Sequence, residues 1–206
     1  MGTLLNRRRY MGGGFALPYD AEIEYLESKK VASQVIDTGF IPNQNTIIEA
    51  VVKLQNFGQD VHFVYGAGTG VWANNIELYT WNDITLNFNG NKTLSSTNVP
   101  TSSFIKIVQQ NGKNSIYDLQ GNLIKEGVFS ETTFTCSNTL VLFGLHRGNY
   151  IGLDTIKRLK VFDGITPVFD FIPVRVGQTG YLYDNISWRL LGQGDASAYN
   201  LGPDKT

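Results

Sequence analysis

Three closely spaced glutamates are the first candidates for chemistry in this chain. Glu22, Glu24 and Glu27 lie in the segment EIEYLE. If the segment is a strand, Glu22 and Glu24 share a face, and a pair of carboxyl groups can supply the acid and base that cleave a glycosidic bond. The alternative is a solvated edge, the usual place for glutamates. We favour the solvated edge and assign no catalytic residue.

Aromatic and amide side chains are concentrated in the run VWANNIELYTWND. Aromatic faces with polar groups nearby suit a ligand site, and sugars are ligands that use such faces. The predicted glycan-binding residues are Trp72, Asn74, Asn75, Tyr79 and Trp81. The alternative is packing in the core or between sheets, which is the commoner role of large aromatic residues.

The N-terminus combines a basic run with a glycine run, in the sequence RRRYMGGG. The planar guanidinium of arginine pairs with carboxylates through two parallel hydrogen bonds, so this stretch suits a contact with another protein. We interpret residues 1–17 as an attachment arm with a hinge at the three glycines, Gly12–Gly14. The predicted attachment residues are Arg7, Arg8, Arg9, Tyr10 and Met11.

Other features exclude several classes of function. A net charge of −1 produces no global field that would attract nucleic acid. The single cysteine, Cys136, excludes an intrachain disulfide and a CxxC motif. His62 and His146 accompany no nucleophile motif, and we interpret Gly66–Gly70 as a flexible loop because no helix follows it. We therefore expect no metal site and no cofactor, and no segment approaches the roughly 18 apolar residues of a membrane span.

Strands are predicted where apolar residues occupy every second position. Three segments have this pattern: Ile48, Ala50, Val52 and Leu54 in TIIEAVVKL, Ile84, Leu86 and Phe88 in ITLNFNG, and Leu159 and Val161 in RLKVFDG. The segment TLVLFGL (residues 139–145) is apolar throughout, which is typical of a strand covered on both faces.

Turn dipeptides separate the predicted strands. Asn89-Gly90 and Asn111-Gly112 suit the positive φ angles of a type I′ hairpin, and Gly121-Asn122 has the same role. The segment PYDAEIEYLESKKVA fits a helix or a strand, and periodicity leaves both open. Because no helices alternate with the strands, we predict an all-β fold, a two-sheet antiparallel jelly-roll sandwich with an extended N-terminal arm. Residues 18–206 form the jelly roll, including a glycine-broken C-terminal tail.

The chain resembles the concanavalin A-like, laminin-G-like jelly-roll domains of bacteriophage virion proteins. The matching elements are EYLES (residues 24–28), IDTG (36–39), LFGLHRGN, IKRLKVFDG and FDFIPVRVGQTGYLYDNIS, which together span nearly the whole chain. The sequence departs from the family pattern at Lys29-Lys30, where a Thr-Gly pair is usual, and at Trp188, where glycine is usual. The resemblance favours a strand at Glu22–Glu27 and provides no catalytic residues.

The resemblance implies a non-enzymatic structural protein of a bacteriophage virion, in a fibre, in the tail or in a capsid decoration. Its expected location is the virion, assembled in the cytoplasm of the bacterial host. The arm would bind other virion proteins, the chain would form a homo-oligomer, and the lectin-like domain would adhere to host surface glycan. The alternatives are a carbohydrate-binding module of a bacterial surface protein and, third, a glycosidase that depolymerises capsule.

Overall fold

The computed structural model describes residues 10–11, 15–31, 34–55, 61–68, 74–81, 83–95, 99–100, 103–145, 152–192 and 194–206. Within these ranges the chain forms nineteen β-strands. They are β1 (Tyr10–Met11), β2 (Phe15–Ala16), β3 (Ala21–Glu22), β4 (Leu26–Ser28), β5 (Ile36–Asp37), β6 (Thr46–Lys53), β7 (His62–Ala67), β8 (Ile76–Thr80), β9 (Ile84–Phe88), β10 (Asn91–Ser95), β11 (Ile105–Gln110), β12 (Lys113–Tyr117), β13 (Leu123–Val128), β14 (Val141–Leu142), β15 (Thr155–Asp163), β16 (Thr166–Val176), β17 (Thr179–Asp184), β18 (Arg189–Leu191) and β19 (Tyr199–Leu201).

Two large antiparallel sheets form the domain. The six-stranded sheet has the order β10-β9-β8-β7-β14-β5, and the main path of the eleven-stranded sheet is β13-β12-β11-β6-β15-β16-β17-β18. Strands β3, β4 and β19 complete the larger sheet through pairs with β16 and β15 and with each other. The predicted all-β fold of two antiparallel sheets is therefore confirmed.

The main core contains the inward residues of both sheets. The alternation predicted for β6 and β15 is confirmed, because Ile48, Ala50, Val52, Leu159 and Val161 are all fully buried. Strand β9 differs, since Thr85 and Asn87 are buried as well as its apolar residues. The six-stranded sheet is thus covered on both faces at this strand, which alternation alone did not indicate.

The turns agree with the predicted type I′ geometry at one hairpin and differ at two others, one of which is Gly121-Asn122, where only Gly121 has a positive φ, of 90°. Asn89 and Gly90 both have positive φ angles, 51° and 85°, as a type I′ turn requires. At the β11–β12 hairpin only Gly112 is in the left-handed region, with φ of 81°. The type I′ prediction is therefore wrong for Asn111, because a type I′ turn needs positive φ at both central residues.

The segment from Ala21 to Ser28 is extended, so the strand alternative is correct and the helix alternative is wrong. Ile23 is fully buried, whereas Glu24 is exposed. Ile23 forms a bridge with Asp204, and β4 pairs with β15 on one side and β19 on the other. The C-terminal tail is thus tied to the start of the domain by backbone hydrogen bonds.

The residues assigned to the arm lie partly within the described ranges. Met11 pairs with Phe15 and Tyr10 with Ala16, so the backbone on either side of the glycines forms a separate two-stranded sheet. The arginines and Gly12–Gly14 lie outside the described residues. The chain then passes to Tyr19, which packs on the eleven-stranded sheet in a small second apolar cluster with Ile172, Val174 and Tyr183.

Candidate functional site

The predicted glycan-binding residues lie on and around strand β8. Ile76 and Leu78 point into the main core, so the alternate residues Glu77 and Tyr79 point to the opposite side of the six-stranded sheet. We call this opposite side the outer face of the six-stranded sheet. Its composition can be read from the strand register, which places Gly66 and Asn87 beside Glu77, and Phe63 and Thr85 beside Tyr79.

One end of the outer face is aromatic. The rings of Phe63 and Tyr79 are tilted at 31° with their centroids 5.0 Å apart. Tyr79 is half-buried, and Trp81, in the turn that follows β8, is 50% exposed. The backbone NH of Trp81 donates to the carbonyl oxygen of Asp83 at 3.0 Å, which fixes the turn. An aromatic surface that rests on packed rings and remains open to solvent is therefore available here.

The other end of the outer face is polar and closed. Asn87 donates from Nδ2 to Oε2 of Glu77 at 2.9 Å, and both side chains are buried. Asn75 is 1% exposed, so it lies beneath the surface, whereas Asn74 is exposed with φ of 56°. The amide NH of Asn74 donates to Oδ1 of Asn89 at 2.7 Å.

The five predicted residues do not converge on one point. Asn75 and Trp81 are six positions apart along an extended chain, which corresponds to about 20 Å. Tyr79 and Trp81 lie two positions apart in the sequence at the aromatic end, while Trp72 lies outside the described residues. The structure therefore separates the predicted set into a closed polar end and an open aromatic end.

Two glycines allow the outer face to pack closely. A Cβ at Gly66 would lie 2.6 Å from Cδ1 of Leu145, and one at Gly68 would lie 2.6 Å from Cβ of Asn75. The interpretation of Gly66–Gly70 as a flexible loop is wrong at its start, because Gly66 and Ala67 belong to strand β7 and Gly68 is buried. Glycine is required there because neighbouring side chains occupy the space of a Cβ.

A buried polar cluster supports this edge of the sheet. Gln34 donates from Nε2 to the carbonyl oxygens of Gly152 at 2.7 Å and Phe143 at 3.3 Å, and Ser28 also donates to Gly152. Gly152 itself lies against β7, since a Cβ there would be 2.3 Å from the carbonyl oxygen of Phe63. The cluster thus connects β7 to the segments that precede and follow residues 146–151.

Asp154 lies in the same region and is fully buried. Its Oδ1 accepts a hydrogen bond from the backbone NH of Gln55 at 3.2 Å, and its Oδ2 has no hydrogen-bond partner among the residues that the structure describes. Burial disfavours the charged form and raises the pKa of Asp154 to about 7, against a smaller lowering by the Gln55 hydrogen bond. Asp154 is therefore a carboxyl group that changes charge near neutral pH.

The three glutamates of the first sequence candidate are dispersed along the first strands of the domain. Glu22 forms an ion pair with Lys205 at 3.6 Å, and Glu27 accepts hydrogen bonds from Asn200 and Thr155. Glu24 is exposed. Two of the three carboxylates are thus engaged by neighbouring residues.

The remaining candidate residues are the two histidines, His62 and His146. His62 is buried on β7 opposite Thr80, and His146 lies outside the described residues. Among the residues that the structure describes, no group of three or more His, Cys, Asp or Glu side chains could hold a metal ion. In the same part of the chain, no helix is long and apolar enough to cross a membrane.

Sequence reasoning missed Phe63, Glu77, Asn87 and Leu145 on the outer face. These residues come from strands β7, β8 and β9 and from the segment after β14, and only the strand register brings them together. A partial signal was available, since Glu77 lies within the aromatic and amide run and is the only charged residue between Val71 and Asn82.

Comparisons with known proteins find similarity in structure only. No protein-family model and no curated protein matches the chain. A proposed carbohydrate-binding protein from Bacteroides ovatus has a TM-score of 0.55 at 13% identity, over 87% of this chain and 58% of its own. Domains LG4-5 of the mouse laminin α1 chain have a TM-score of 0.48 at 11% identity, over 81% of this chain and 49% of theirs.

Tailspike protein 2 of an Escherichia coli O157:H7 bacteriophage has a TM-score of 0.46 at 16% identity, over 66% of this chain and 22% of its own. The chain therefore spans less than two thirds of the length of each of these proteins. The similarity to the Bacteroides ovatus protein shows a shared fold, the jelly-roll sandwich that the sequence resemblance implied. A shared fold alone does not assign a function.

Proposed function

We propose that the chain is a non-enzymatic, lectin-like component of a bacteriophage virion, and that it adheres to host surface saccharide through the aromatic end of the outer face. The observation that carries the saccharide part is the half-exposed indole of Trp81, two residues after Tyr79, whose ring packs on Phe63. Such a surface buries apolar area against a ligand at little entropic cost, because the supporting rings are already packed. The shared fold with a proposed carbohydrate-binding protein supports the same assignment.

The chain provides a matched control for this proposal. Trp188 is 58% exposed in a turn of the eleven-stranded sheet and therefore resembles Trp81 in exposure but not in location. In a glycan array, wild-type protein and Trp188→Ala should bind the same saccharides, and Trp81→Ala should bind them at least tenfold more weakly. Equal binding by Trp81→Ala and wild type, at unchanged folding, would contradict the proposal.

The virion part of the proposal rests on the sequence resemblance and the attachment arm. We propose that the arm binds other virion proteins and that the domain forms a homo-oligomer, in which weak binding at single sites adds up through multivalency. Mass spectrometry of purified phage particles from the source culture should detect the chain at several copies per particle. Its presence only in the bacterial cell-surface fraction would instead indicate a carbohydrate-binding module of a bacterial surface protein, the second candidate that the shared fold favours.

The absence of catalysis is part of the proposal and has its own test. Glu22 forms an ion pair with Lys205, Glu27 accepts a hydrogen bond from Asn200 and Glu24 is exposed, which supports the solvated edge over a pair of carboxyl groups that cleave a glycosidic bond. Saccharides that bind in the array should show no increase in reducing ends after prolonged incubation with the protein. Release of reducing ends that is lost in Glu22→Gln or Glu27→Gln would establish the glycosidase alternative.

A further inference from the structure

A group of two lysines and two aromatic residues lies on the solvent side of the eleven-stranded sheet, away from the outer face of the six-stranded sheet. Lys53 Nζ is 5.5 Å from the ring centroid of Tyr25 and 5.9 Å from that of Phe104. Lys157 Nζ is 5.3 Å from the ring centroid of Phe104. All four side chains are partly exposed. We call these four residues the lysine–aromatic cluster.

An irregularity in strand β15 provides the second lysine of the cluster. Ile156 pairs with Val52 and Arg158 pairs with Val51, so Lys157 is an extra residue that has no counterpart on β6. A β-bulge of this kind redirects a side chain and is common beside functional sites. Here the ammonium of the extra residue reaches the same ring that Lys53 already contacts.

The two lysines of the cluster carry two positive charges, and one of them, that of Lys53, is paired with the carboxylate of Glu27. Lys53 lies 3.9 Å from Oε2 of Glu27. Glu27 also accepts hydrogen bonds from Asn200 at 2.8 Å and from Thr155 at 3.3 Å. Within the described part of the chain, Lys157 forms no ion pair, and its contact is with Phe104. Two ammonium groups near one ring repel each other, so an added anion would be attracted to this point.

The rings hold the cluster in a defined geometry. The ring centroids of Tyr25 and Phe104 are 6.0 Å apart. Tyr25 is held in turn by Gly202, where a Cβ would lie 2.9 Å from Cδ1 of the ring and 2.8 Å from the backbone nitrogen of Tyr25. The lysines are therefore positioned against packed aromatic groups, which lowers the entropic cost of binding a ligand.

We propose that the lysine–aromatic cluster is a second binding site, and that its ligand is a saccharide bearing a carboxylate, such as a uronic acid. The carboxylate of the sugar pairs with Lys157 and Lys53 through charge-assisted hydrogen bonds. The Glu27 carboxylate accepts hydrogen bonds from sugar hydroxyl groups. An acidic peptide fits less well, because it lacks the density of hydroxyl groups that can donate hydrogen bonds to Glu27.

Isothermal titration calorimetry on the full chain tests this site with trigalacturonic acid and its methyl ester. The acid should bind and the neutral ester should bind at least tenfold more weakly, since the ester lacks the charge. Lys157→Gln should weaken binding of the acid about tenfold. The control is Lys160→Gln, which removes a lysine from the same strand outside the cluster and should leave the affinity unchanged.

Trp81→Ala separates this site from the proposed function, because it should leave trigalacturonic acid binding intact even if it abolishes binding in the glycan array. No binding of the acid, equal binding of acid and ester, or equal losses in the Lys157 and Lys160 variants would overturn the second site. Tighter binding of a triglutamate peptide than of the trisaccharide would also overturn it, in favour of a protein partner.

Discussion

Polar side chains have opposite environments on the outward sides of the two sheets, since they are buried on one and exposed to solvent on the other. On the outer face of the six-stranded sheet, Glu77 and Asn87 are buried and hydrogen-bonded to each other. On the eleven-stranded sheet, charged side chains such as those of Arg158 and Asp170 form ion pairs in contact with solvent. Polar groups on the first face are therefore enclosed in the fold, whereas those on the second pair with each other at the solvent-exposed surface.

The largest expected contrast concerns two carboxyl groups and pH. Burial raises the pKa of Asp154 to about 7, so the folded state holds a proton that the unfolded state loses near pH 4. The contribution of this group to the free energy of unfolding is therefore greatest below about pH 4. It falls by roughly 4 kcal/mol as the pH rises to about 7. Asp154→Asn should abolish this decline in a series of urea denaturations between pH 4 and 8.

Asp170 should behave in the opposite direction. Partial burial alone would raise the pKa of Asp170, but hydrogen bonds and charge attraction from Arg158 outweigh it and the pKa lies below the usual value. Its contribution to stability is therefore present above the pKa of the unfolded chain and is lost as the pH falls through the folded pKa.

If Asp154→Asn left the pH dependence above pH 4 unchanged, the proposed titration of Asp154 would be wrong.

The next contrast compares two glutamates, one on each face. Glu77→Ala removes the partner of the buried Asn87 amide and should cost about 2–3 kcal/mol. Glu49→Ala removes a partly exposed ion pair with Lys106, 3.1 Å long, and should cost less than about 1 kcal/mol. Guanidinium denaturation measures both variants, and similar costs would mean that the two faces do not differ as described.

The strands could be predicted from the sequence more accurately than the glycan-binding residues. The alternation of Ile48, Ala50 and Val52 predicted β6 correctly, because that signal is local and one face of the strand meets solvent. The strand expected over residues 139–145 is confined to Val141–Leu142, since Phe143 takes a left-handed φ of 60° and ends it. Asn75 is predicted to bind glycan and is buried, because its cover depends on a close approach to Gly68, just after strand β7, that spacing does not encode.

A smaller contrast concerns the two exposed tryptophans. Trp188 has φ of 62°, which is unfavourable for a bulky residue. The turn is held by the buried Asp184, which accepts hydrogen bonds from the backbone NH groups of Asp170, Ile186 and Ser187. Trp188→Gly should therefore raise the stability by about 0.5–1 kcal/mol.

Thermal denaturation of Trp188→Gly beside Trp81→Gly checks this expectation. The φ of Trp81 is not positive, so glycine at this position relieves no backbone strain and should lower the stability slightly. A loss of stability in Trp188→Gly as large as that in Trp81→Gly would show that the indole of Trp188 contributes more to the fold than its conformation costs.

The smallest effect on folding is expected from removal of the arm. Deletion of residues 1–14 leaves Tyr19 in its cluster on the eleven-stranded sheet and leaves both large sheets intact. The shortened protein should therefore melt within a few degrees of the full chain. It should also fail to join the virion, and incorporation at full occupancy in a phage complementation assay would refute the role of the arm in attachment.

The most direct test of the account is to locate a bound saccharide. A saccharide without a carboxylate, selected from the glycan array, can be titrated into isotope-labelled full chain and followed by NMR. The account predicts the largest shift changes at the Trp81 indole NH and at Tyr79, with little change at Asn75 and Trp188. Shift changes centred on the eleven-stranded sheet, with Trp81 unaffected, would contradict the assignment of the aromatic end as the adhesion site.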